Sequence, residues 1–526
     1  MRELKIAILV DDTKLEKYKV EIINELIVAD FCTISKIINI DKESDTYDQG
    51  SKYLFYRWFN KLDALSFGKG TKYLKQEPIP KIDLVDAKEP DLIINLSSST
   101  KYYENSAKYG MWQFVYNSSP LGYWEVINND PYTTVNLEKA GNGFESGLLL
   151  DTFRTATDRK SMLKNRDLVS WRTHMMMVRN IKLLAQNGES YFEDKKILLK
   201  FNHDIGNKKR KFFDLQFKFS DQTKQYPPTN CQMLVASCKL IRKYARFSLR
   251  KFFTMDRWLI LYSQNRDGEV NPNLSEYKRF YAPSENYFVA DPFVVDEGEK
   301  SYLFYEELDY ATSKGYLKVA EFDDEKGDFK EPQMILEEEY HLSYPNVFKH
   351  EGKYYMIPES YENKTVDLYE CIEFPTKWEK KKTLLENVSA VDATLYFQDK
   401  KWWMFVNIAR KEGFSMNDEL YIYHAKDFLK DEWISHSKNP VVCDVVTARA
   451  AGNLIKKDGK LYRPAQDCSG FYGRKIVINE VLKLSEDEYK EQLVGEINSD
   501  FSDDLVAVHT LNCSKKLTVI DAIKSR

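Results

Sequence analysis

Residues 288–307 read FVADPFVVDEGEKSYLFYEE. Two apolar runs flank a charged, Gly-containing turn, which is the pattern of a β-hairpin. The pattern accounts for a hairpin but not for carboxylates at both of its ends, Asp291 at the start and Glu306 and Glu307 at the finish. The stretch recurs. DPFVVDEGEKSYLFYEE from 291, YPNVFKHEGKYYMIPES from 344, DATLYFQDKKWWMFVN from 392 and AGNLIKKDGKLYRPAQD from 451 align without a gap. Their second residues, Pro292, Pro345, Ala393 and Gly452, stand 53, 48 and 59 residues apart. Ten residues on, each copy has an aromatic: Tyr302, Tyr355, Trp403 and Tyr462. Fourteen residues on come Glu306, Glu359, Asn407 and Gln466. Strand-built repeats of this length indicate the blades of a propeller.

Two further pieces lack the full pattern: RWLILYS at 257–263 with RFYAPSENYFVA at 279–290, and VAVHTLNCSKKLTVIDAI at 506–523. A propeller closes by joining its first and last strands in one blade, so four clear copies and one closing blade predict five. The geometry of a blade puts the first position and the returning strand on one face near the axis. It thereby pairs Asp291 with Glu306, Tyr344 with Glu359, Asp392 with Asn407, and Ala451 with Gln466. Carboxylates gathered so closely separate in pKa, as acid–base chemistry at a sugar requires. Acids that merely cap turns or bridge blades are the alternative. Glu307, on the opposite side of its strand, reads as structural.

The chain around this repeat has 526 residues, more than one core usually serves, so several domains are expected. It holds 34 Tyr, 30 Phe and 9 Trp, a content that suits pleated surfaces and also offers flat faces to sugar rings. A net charge of −4 gives nucleic acid no foothold as a main partner. The seven cysteines are scattered, with no C-x-x-C pair, and read as reduced thiols rather than a disulfide frame or a zinc site. No metal is expected. The opening run MRELKIAILVDD is too short in its apolar part for a secretory leader, and no stretch approaches the roughly 18 apolar residues of a membrane span. A cytoplasmic protein is the expectation.

The predicted organisation is multidomain, α/β followed by all-β. Residues 1–150 alternate strands (LKIAILV, DLIIN, GMWQFVY) with helical spacing, as in a parallel α/β sheet. No G-x-G-x-x-G follows the first strand, so no dinucleotide cofactor is implied, and no other cofactor is expected. Residues 151–254 read as a helical, basic linker whose clearest helix is CKLIRKYARFSLRKFF at 238–253. That helix fits either a packed linker with a solvated basic face or a peripheral contact with the inner face of an anionic membrane. Residues 255–526 form the propeller.

The strings ADPF…YLFYEE, SYPNVF…YYMIPES, VDATLY…WWMF and AGNLI…LYRPAQD resemble the five-bladed propeller of glucosamine inositol-phosphorylceramide transferase-like proteins. The resemblance covers about residues 255–523. In plants that domain stands beside a glycosyltransferase domain, and bacterial relatives carry it behind a formyltransferase-like domain among surface-polysaccharide genes. More distantly, the pattern is similar to the five-bladed propellers of glycosidases. That similarity implies Asp291 as base or nucleophile, Asp392 as the acid that orients its partners, and Glu359 as the acid. The N-terminal string GMWQFVYNSSPLGYWEVINNDPYTTVNLEKAGNGFESGLLL resembles methionyl-tRNA formyltransferase-like enzymes. Where those use Asn-x-His and a later Asp, this chain has Gln113-Phe114-Val115 and Glu145-Ser146-Gly147. The lost imidazole removes the proton carrier, so formyl transfer is not expected and a degenerate binding or scaffold role is.

Further candidates complete the set. Arg449 and Arg463 could hold a phosphate or carboxylate by bidentate contacts, with Gln466 and Asp467 beside them, or could pair with neighbouring blade acids. His509, in the closing strand, is either a ligand contact or a structural histidine, and His203 reads as surface. Trp402 and Trp403 face opposite sides of one strand, one of them free to serve a blade contact or a sugar platform. The substrate-binding set is therefore Glu306, Tyr344, Asn407, Arg449, Arg463, Gln466, Asp467 and His509. The expected function is a glycosyltransferase of cell-surface polysaccharide or glycolipid assembly, using a sugar donor and a glycan acceptor. A propeller-type glycoside hydrolase and a non-catalytic glycan-binding scaffold are the alternatives.

Overall fold

The computed structural model describes residues 2–40, 51–82, 84, 89–97, 107–116, 120–140, 147–193, 195, 227–253, 257–265, 271, 273–410 and 415–525. The chain divides into two compact units, Met1–Ala245 and Arg246–Arg526.

The first unit is built on one six-stranded sheet, in the order Cys32–Asn39, Leu4–Val10, Leu92–Asn95, Met111–Tyr116, Tyr132–Lys139, Leu148–Ala156. The first four strands are parallel and the last two antiparallel. Leu4–Val10 and Leu92–Asn95 are buried almost throughout, as central strands covered on both faces must be. The helices Lys17–Ile27 and Met162–Asn187 pack against one another within this unit. The boundary expected at 150 therefore falls inside the strand Leu148–Ala156, and much of the expected linker is core: Val169, Trp171, Met177 and Leu184 are buried. The helix Asn230–Phe253 buries Met233, Ala236 and Leu240 against Tyr123, Val126 and Ile127. Among the described residues no helix is long and apolar enough to cross a membrane.

The second unit is a five-bladed propeller. Blade one runs Tyr287–Glu297, Lys300–Asp309, Lys314–Asp323 and Asp328–Phe329; blade two Ser343–His350, Lys353–Glu359, Thr365–Glu373 and Lys377–Glu386. Blade three is Ser389–Gln398, Lys401–Ala409 and Glu419–Ala425, edged by two short strands. Blade four consists of Arg449–Ala450 with Ile455–Lys457, Lys460–Asp467, Lys475–Leu484 and Tyr489–Ile497. Blade five closes the ring: Leu505–Cys513 and Leu517–Lys524 pair onward to Arg257–Gln264, with Leu517 opposite Gln264 and Lys524 opposite Arg257. Eight residue pairs at this seam tie the two ends of the propeller together. The apolar side chains fill the gaps between blades. Phe293, Phe304 and Tyr344 share one such core, and Leu395, Trp402 and Phe428 share the next. Trp403 belongs to a third cluster, with Phe405 and Ile422, so both tryptophans of the WW pair are core.

One irregularity repeats around the ring and makes the site. The inner strands of blades one, two, three and five each slip register, between Ala290 and Phe293, Ser343 and Asn346, Val391 and Thr394, and Val508 and Leu511. Asp291, Tyr344, Asp392 and His509 stand in these bulges. Three of them are left-handed, with φ of 50° at Asp291, 44° at Tyr344 and 55° at Asp392. A bulge breaks the alternation of the pleat and re-aims a side chain. Non-glycine residues held in this conformation cost about 1–3 kcal/mol each and gather at functional sites. In the fourth copy the left-handed residue is Gly452, with φ of 118°. A Cβ there would come within 2.1 Å of the Leu511 carbonyl oxygen of blade five, so that copy has no room for a side chain.

Candidate active site of the propeller

The bulges bring acids from different blades into one buried cluster. Asp291 is 6% exposed, Glu306 4% and Asp392 2%. Asp291 Oδ1 accepts from the Thr510 hydroxyl at 2.9 Å and lies 3.4 Å from His509 Nε2. His509 Nδ1 lies 2.6 Å from Asp521 Oδ1. Asp521, fully buried, also accepts the backbone N–H groups of His509, Thr510 and Asp291 at 3.2, 2.8 and 2.8 Å. Burial pulls the His509 imidazole down, but the Asp521 and Asp291 carboxylates outweigh it, and the net shift is upward. Asp521 thus fixes both the backbone of the first-blade bulge and the ring that faces its acid.

Blades two, three and four contribute the other half. Arg449 Nε donates to Asp392 Oδ2 at 2.5 Å, and its Nη2 lies 3.9 Å from Glu359 Oε2. Its Nη1 donates to Asn417 Oδ1 at 3.2 Å. Ser343 donates its hydroxyl to Glu359 at 3.1 Å, and Gln466 Nε2 lies 3.4 Å from Asp392 Oδ2. Among the described residues, Glu306 Oε1 has no hydrogen-bond partner; His341 Nε2 is 3.5 Å away. His341 Nδ1 accepts the Gly315 N–H at 3.0 Å, which leaves the proton of a neutral ring on Nε2, facing Glu306.

These surroundings separate the acids. Burial pushes the Asp291 carboxyl up to about 6, with His509 pulling it back and Asp521 and Asp392 adding to the rise. Burial, then the Asp392 charge, pushes Glu359 up to about 8, against the opposing pull of Arg449. Glu306 is raised well above the usual range by burial and by Asp291, Glu359, Asp521 and Asp392. With Asp291 at about 6 and Glu359 at about 8, neutral pH favours an ionised Asp291 beside a protonated Glu359, and Glu306 is shifted in the same upward direction. An ionised base and a neutral acid in one site are what paired acid–base chemistry uses.

Seven of the residues singled out by sequence therefore meet: Asp291, Glu306, Glu359, Asp392, Arg449, Gln466 and His509. The other four are engaged differently. The Tyr344 hydroxyl receives the Gly452 N–H at 2.7 Å and meets Thr394 at 2.9 Å, joining three blades. Asn407 donates to the carbonyls of Glu419 and Ala448 at 2.8 and 3.0 Å and accepts from Ala450 N–H at 3.0 Å. Arg463 faces the outermost strand of its blade, where Nε and Nη2 reach the Glu491 carboxylate at 2.8 and 2.7 Å. Asp467 accepts the Ser469 N–H at 2.9 Å and pairs with Arg474. Long polar side chains on one strand alternate between its two faces, and sequence position alone did not say which face met the axis. Glu307, buried, pairs with Lys318 at 2.7 Å and accepts from Tyr316 at 2.7 Å, as a structural acid should.

The structure adds residues that the repeat did not flag. Asp521 is the single acid inside the apolar run LTVIDAI, a signal of a buried, partnered charge. Trp258 packs on His509 with ring centroids 4.1 Å apart, and Tyr472 lies against the same ring at 5.4 Å. Asp291, His509 and Asp521 each present a possible metal-ligand atom within 4.8 Å of the others, a grouping no local spacing announced. Both Asp521 oxygens already accept backbone N–H groups, so an ion there would compete with the contacts that hold the bulge. In the N-terminal unit, Asn95 Nδ2 lies 3.5 Å from Gln113 Oε1. Glu145, Ser146 and His203 lie outside the described residues.

Residues 270–515 match the family described as glucosamine inositolphosphorylceramide transferase 1, N-terminal. The chain is 38% identical over 206 residues to the glucosamine inositolphosphorylceramide transferase 1 of Oryza sativa subsp. japonica, covering 39% of this chain and 27% of that protein. It is 32% identical over 252 residues to the protein of that name from Arabidopsis thaliana, covering 47% and 32%. The match thus spans less than a third of the length of these relatives. Among solved structures, the chain is similar to a family 117 glycoside hydrolase of Zobellia galactanivorans, with 11% identity and a TM-score of 0.34 over 51% of this chain and 90% of that one. It is also similar to the arabinanase Arb43A of Bacillus subtilis, with 13% identity and a TM-score of 0.31 over 44% and 93%.

Proposed function

We propose that the propeller cluster is a glycosyl-transfer site serving glycolipid or cell-surface polysaccharide assembly. The observation that carries this is the gathering of acids from successive blades around His509 and Arg449, with Asp291 3.4 Å from His509 and Glu359 3.9 Å from Arg449, where burial pushes Asp291 up to about 6 and Glu359 up to about 8. Asp291 is ionised at neutral pH and takes the part of base or nucleophile. Glu359 keeps its proton and delivers it to the leaving oxygen. Asp392 orients Arg449, whose guanidinium reaches both Asp392 and Glu359. The relatives' name supports sugar transfer to an inositolphosphoryl lipid as the class of reaction, with a sugar donor and a lipid or glycan acceptor as partners. The N-terminal unit fits a degenerate formyltransferase-like scaffold. The helix Asn230–Phe253, with Leu234, Val235 and Ile241 exposed, fits a peripheral contact with the inner face of a membrane and a cytoplasmic location. The test incubates the purified protein with sugar donors and lipid or glycan acceptors and follows transfer. Transfer by the wild type that is lost in the Asp291→Asn, Glu359→Gln double variant is the expected result. Unchanged turnover in the double variant overturns the assignment.

A second reading, a glycan-binding scaffold, is favoured by one observation: Arg449 and Asp392 are already paired and nearly inaccessible. Calorimetric sugar binding without turnover on any donor would select it.

A further inference from the structure

The acids of the cluster are nearly inaccessible, yet one group beside their partners Arg449 and His509 is not. Tyr472 is 42% exposed, and Phe471 beside it is also 42% exposed. Tyr472 stands over the cluster: the Arg449 guanidinium carbon is 5.5 Å from its ring centroid, and its ring meets His509 edge-on, with centroids 5.4 Å apart and planes at 69°. The phenol lies within electrostatic reach of Arg449, Asp392 and Asp291.

The loop that carries it, CSGFYGR at 468–474, is held in a fixed shape. Asp467, 1% exposed, accepts from the Ser469 N–H at 2.9 Å and from the Ser469 hydroxyl at 2.5 Å, and it pairs with Arg474 at the other end. A buried carboxylate therefore clamps both ends of a six-residue turn from Ser469 to Arg474. Gly473, with φ of 66°, lies so close to the cluster that a Cβ would come 2.9 Å from His509 Cβ and 3.1 Å from the Trp258 ring. A solvated connection needs neither a buried clamp nor two large aromatics turned to water beside a charged cluster.

We propose that Tyr472 is the substrate-contacting aromatic of this site. Its ring, with Phe471 beside it, presents the apolar surface against which a pyranose ring lies while its glycosidic centre faces Asp291 and Glu359. A pyranose has an apolar face of C–H groups and a polar rim. An aromatic ring backed by Arg449 and His509 offers the matching combination of flat apolar surface and nearby charge. The proposal rests on the glycosyl-transfer reading for the reaction but makes a separate claim about binding. It also gives Asp467 its part, as a positioning residue that sets the platform without touching the sugar.

The test measures binding apart from turnover. Ligand-observed NMR titration of glucosamine, N-acetylglucosamine and methyl glucopyranoside is run on the wild type, Tyr472→Ala, Tyr472→Trp and Phe471→Ala. The expected result is that Tyr472→Ala weakens the best of these ligands about tenfold and Phe471→Ala about threefold. Tyr472→Trp stays within about twofold of the wild type. An unchanged denaturation midpoint shows that the loop variants fold. Wild-type affinity in Tyr472→Ala, or no binding of any of the three by the wild type, overturns the platform. Transfer by the wild type with a sugar donor and acceptor is followed separately and reports on the transfer reading, so loss of sugar binding in Tyr472→Ala and absence of transfer are distinguishable outcomes.

Discussion

Blade one and blade three place an acid in the same bulge with the same left-handed backbone, yet the two acids live differently. Asp392 of blade three is held by Arg449 at 2.5 Å, and the residue on its returning strand, Asn407, spends its whole amide on three backbone groups. Among the described residues, the Asp291 carboxylate of blade one meets Thr510 and His509 rather than an arginine, and Glu306 on its returning strand keeps one oxygen without a hydrogen-bond partner. The repeat therefore supplies positions, and the neighbouring blade decides what each position does. Where a neighbour offers a guanidinium or loose backbone groups, the polar residue is held by them. Where it offers other carboxylates, the residue is left with a displaced pKa.

The largest break in that comparison is Asp392→Ala. It leaves Arg449 buried with Glu359 as a distant partner, and the loss of propeller stability is expected to be about 3–5 kcal/mol by denaturant unfolding. A loss under about 1 kcal/mol would show that blade three does not depend on its ion pair. Next comes Asn407→Ala, which strips two carbonyls and one N–H of their partner and is expected to cost about 3 kcal/mol. Asn407→Asp is expected to be no better, since a carboxylate cannot donate to the Glu419 and Ala448 carbonyls.

The pH dependence probes blade one directly. Asp291 and Glu359 have folded values of about 6 and 8, above their ordinary 3.8 and 4.5, so the folded state binds their protons more tightly than the unfolded chain does. Such groups contribute stability that is fully present below the unfolded values and lost as pH rises through the folded ones. His509, also raised, has the same sign. The urea midpoint of the propeller is expected to fall as pH goes from 5 to 8. A flat or rising midpoint over that range would remove the case for displaced acids.

The smallest effect is Glu306→Gln. An amide keeps the shape of a carboxyl whose burial favours the neutral form, so stability at pH 8 should hold or rise by about 1 kcal/mol, and the pH slope should flatten. A fall of more than about 1 kcal/mol would mean that the Glu306 carboxylate has a partner that Gln cannot replace.

Much of this was legible before any tertiary structure. The five blades follow from the repeat because strand hairpins bury their apolar residues only against a copy of themselves, which fixes spacing and composition together. The seam between 257–264 and 517–524 follows from the need to close the ring. Asp291, Glu306, Glu359 and Asp392 stood out because each occupies a repeat position where the hydrophobic pattern did not require an acid. The domain edge at 150 was misplaced because helical spacing in 162–187 looks the same whether the helix links two domains or fills the core of one.

The sequence by itself determined the propeller, its number of blades and the acids near its axis, because periodic burial writes itself into periodic residues. Only the tertiary structure decided which polar groups face which. Arg449 reaches the cluster and Arg463 the far edge of the same blade, although they are 14 residues apart in one repeat copy. Asp521, Tyr472 and Trp258 come from a closing strand, a loop and the first strand of the propeller, and each meets His509 without sharing its repeat position. Contacts across blades depend on the bulge, the face of the strand and the neighbour's backbone, which are properties of the closed ring rather than of any segment within it.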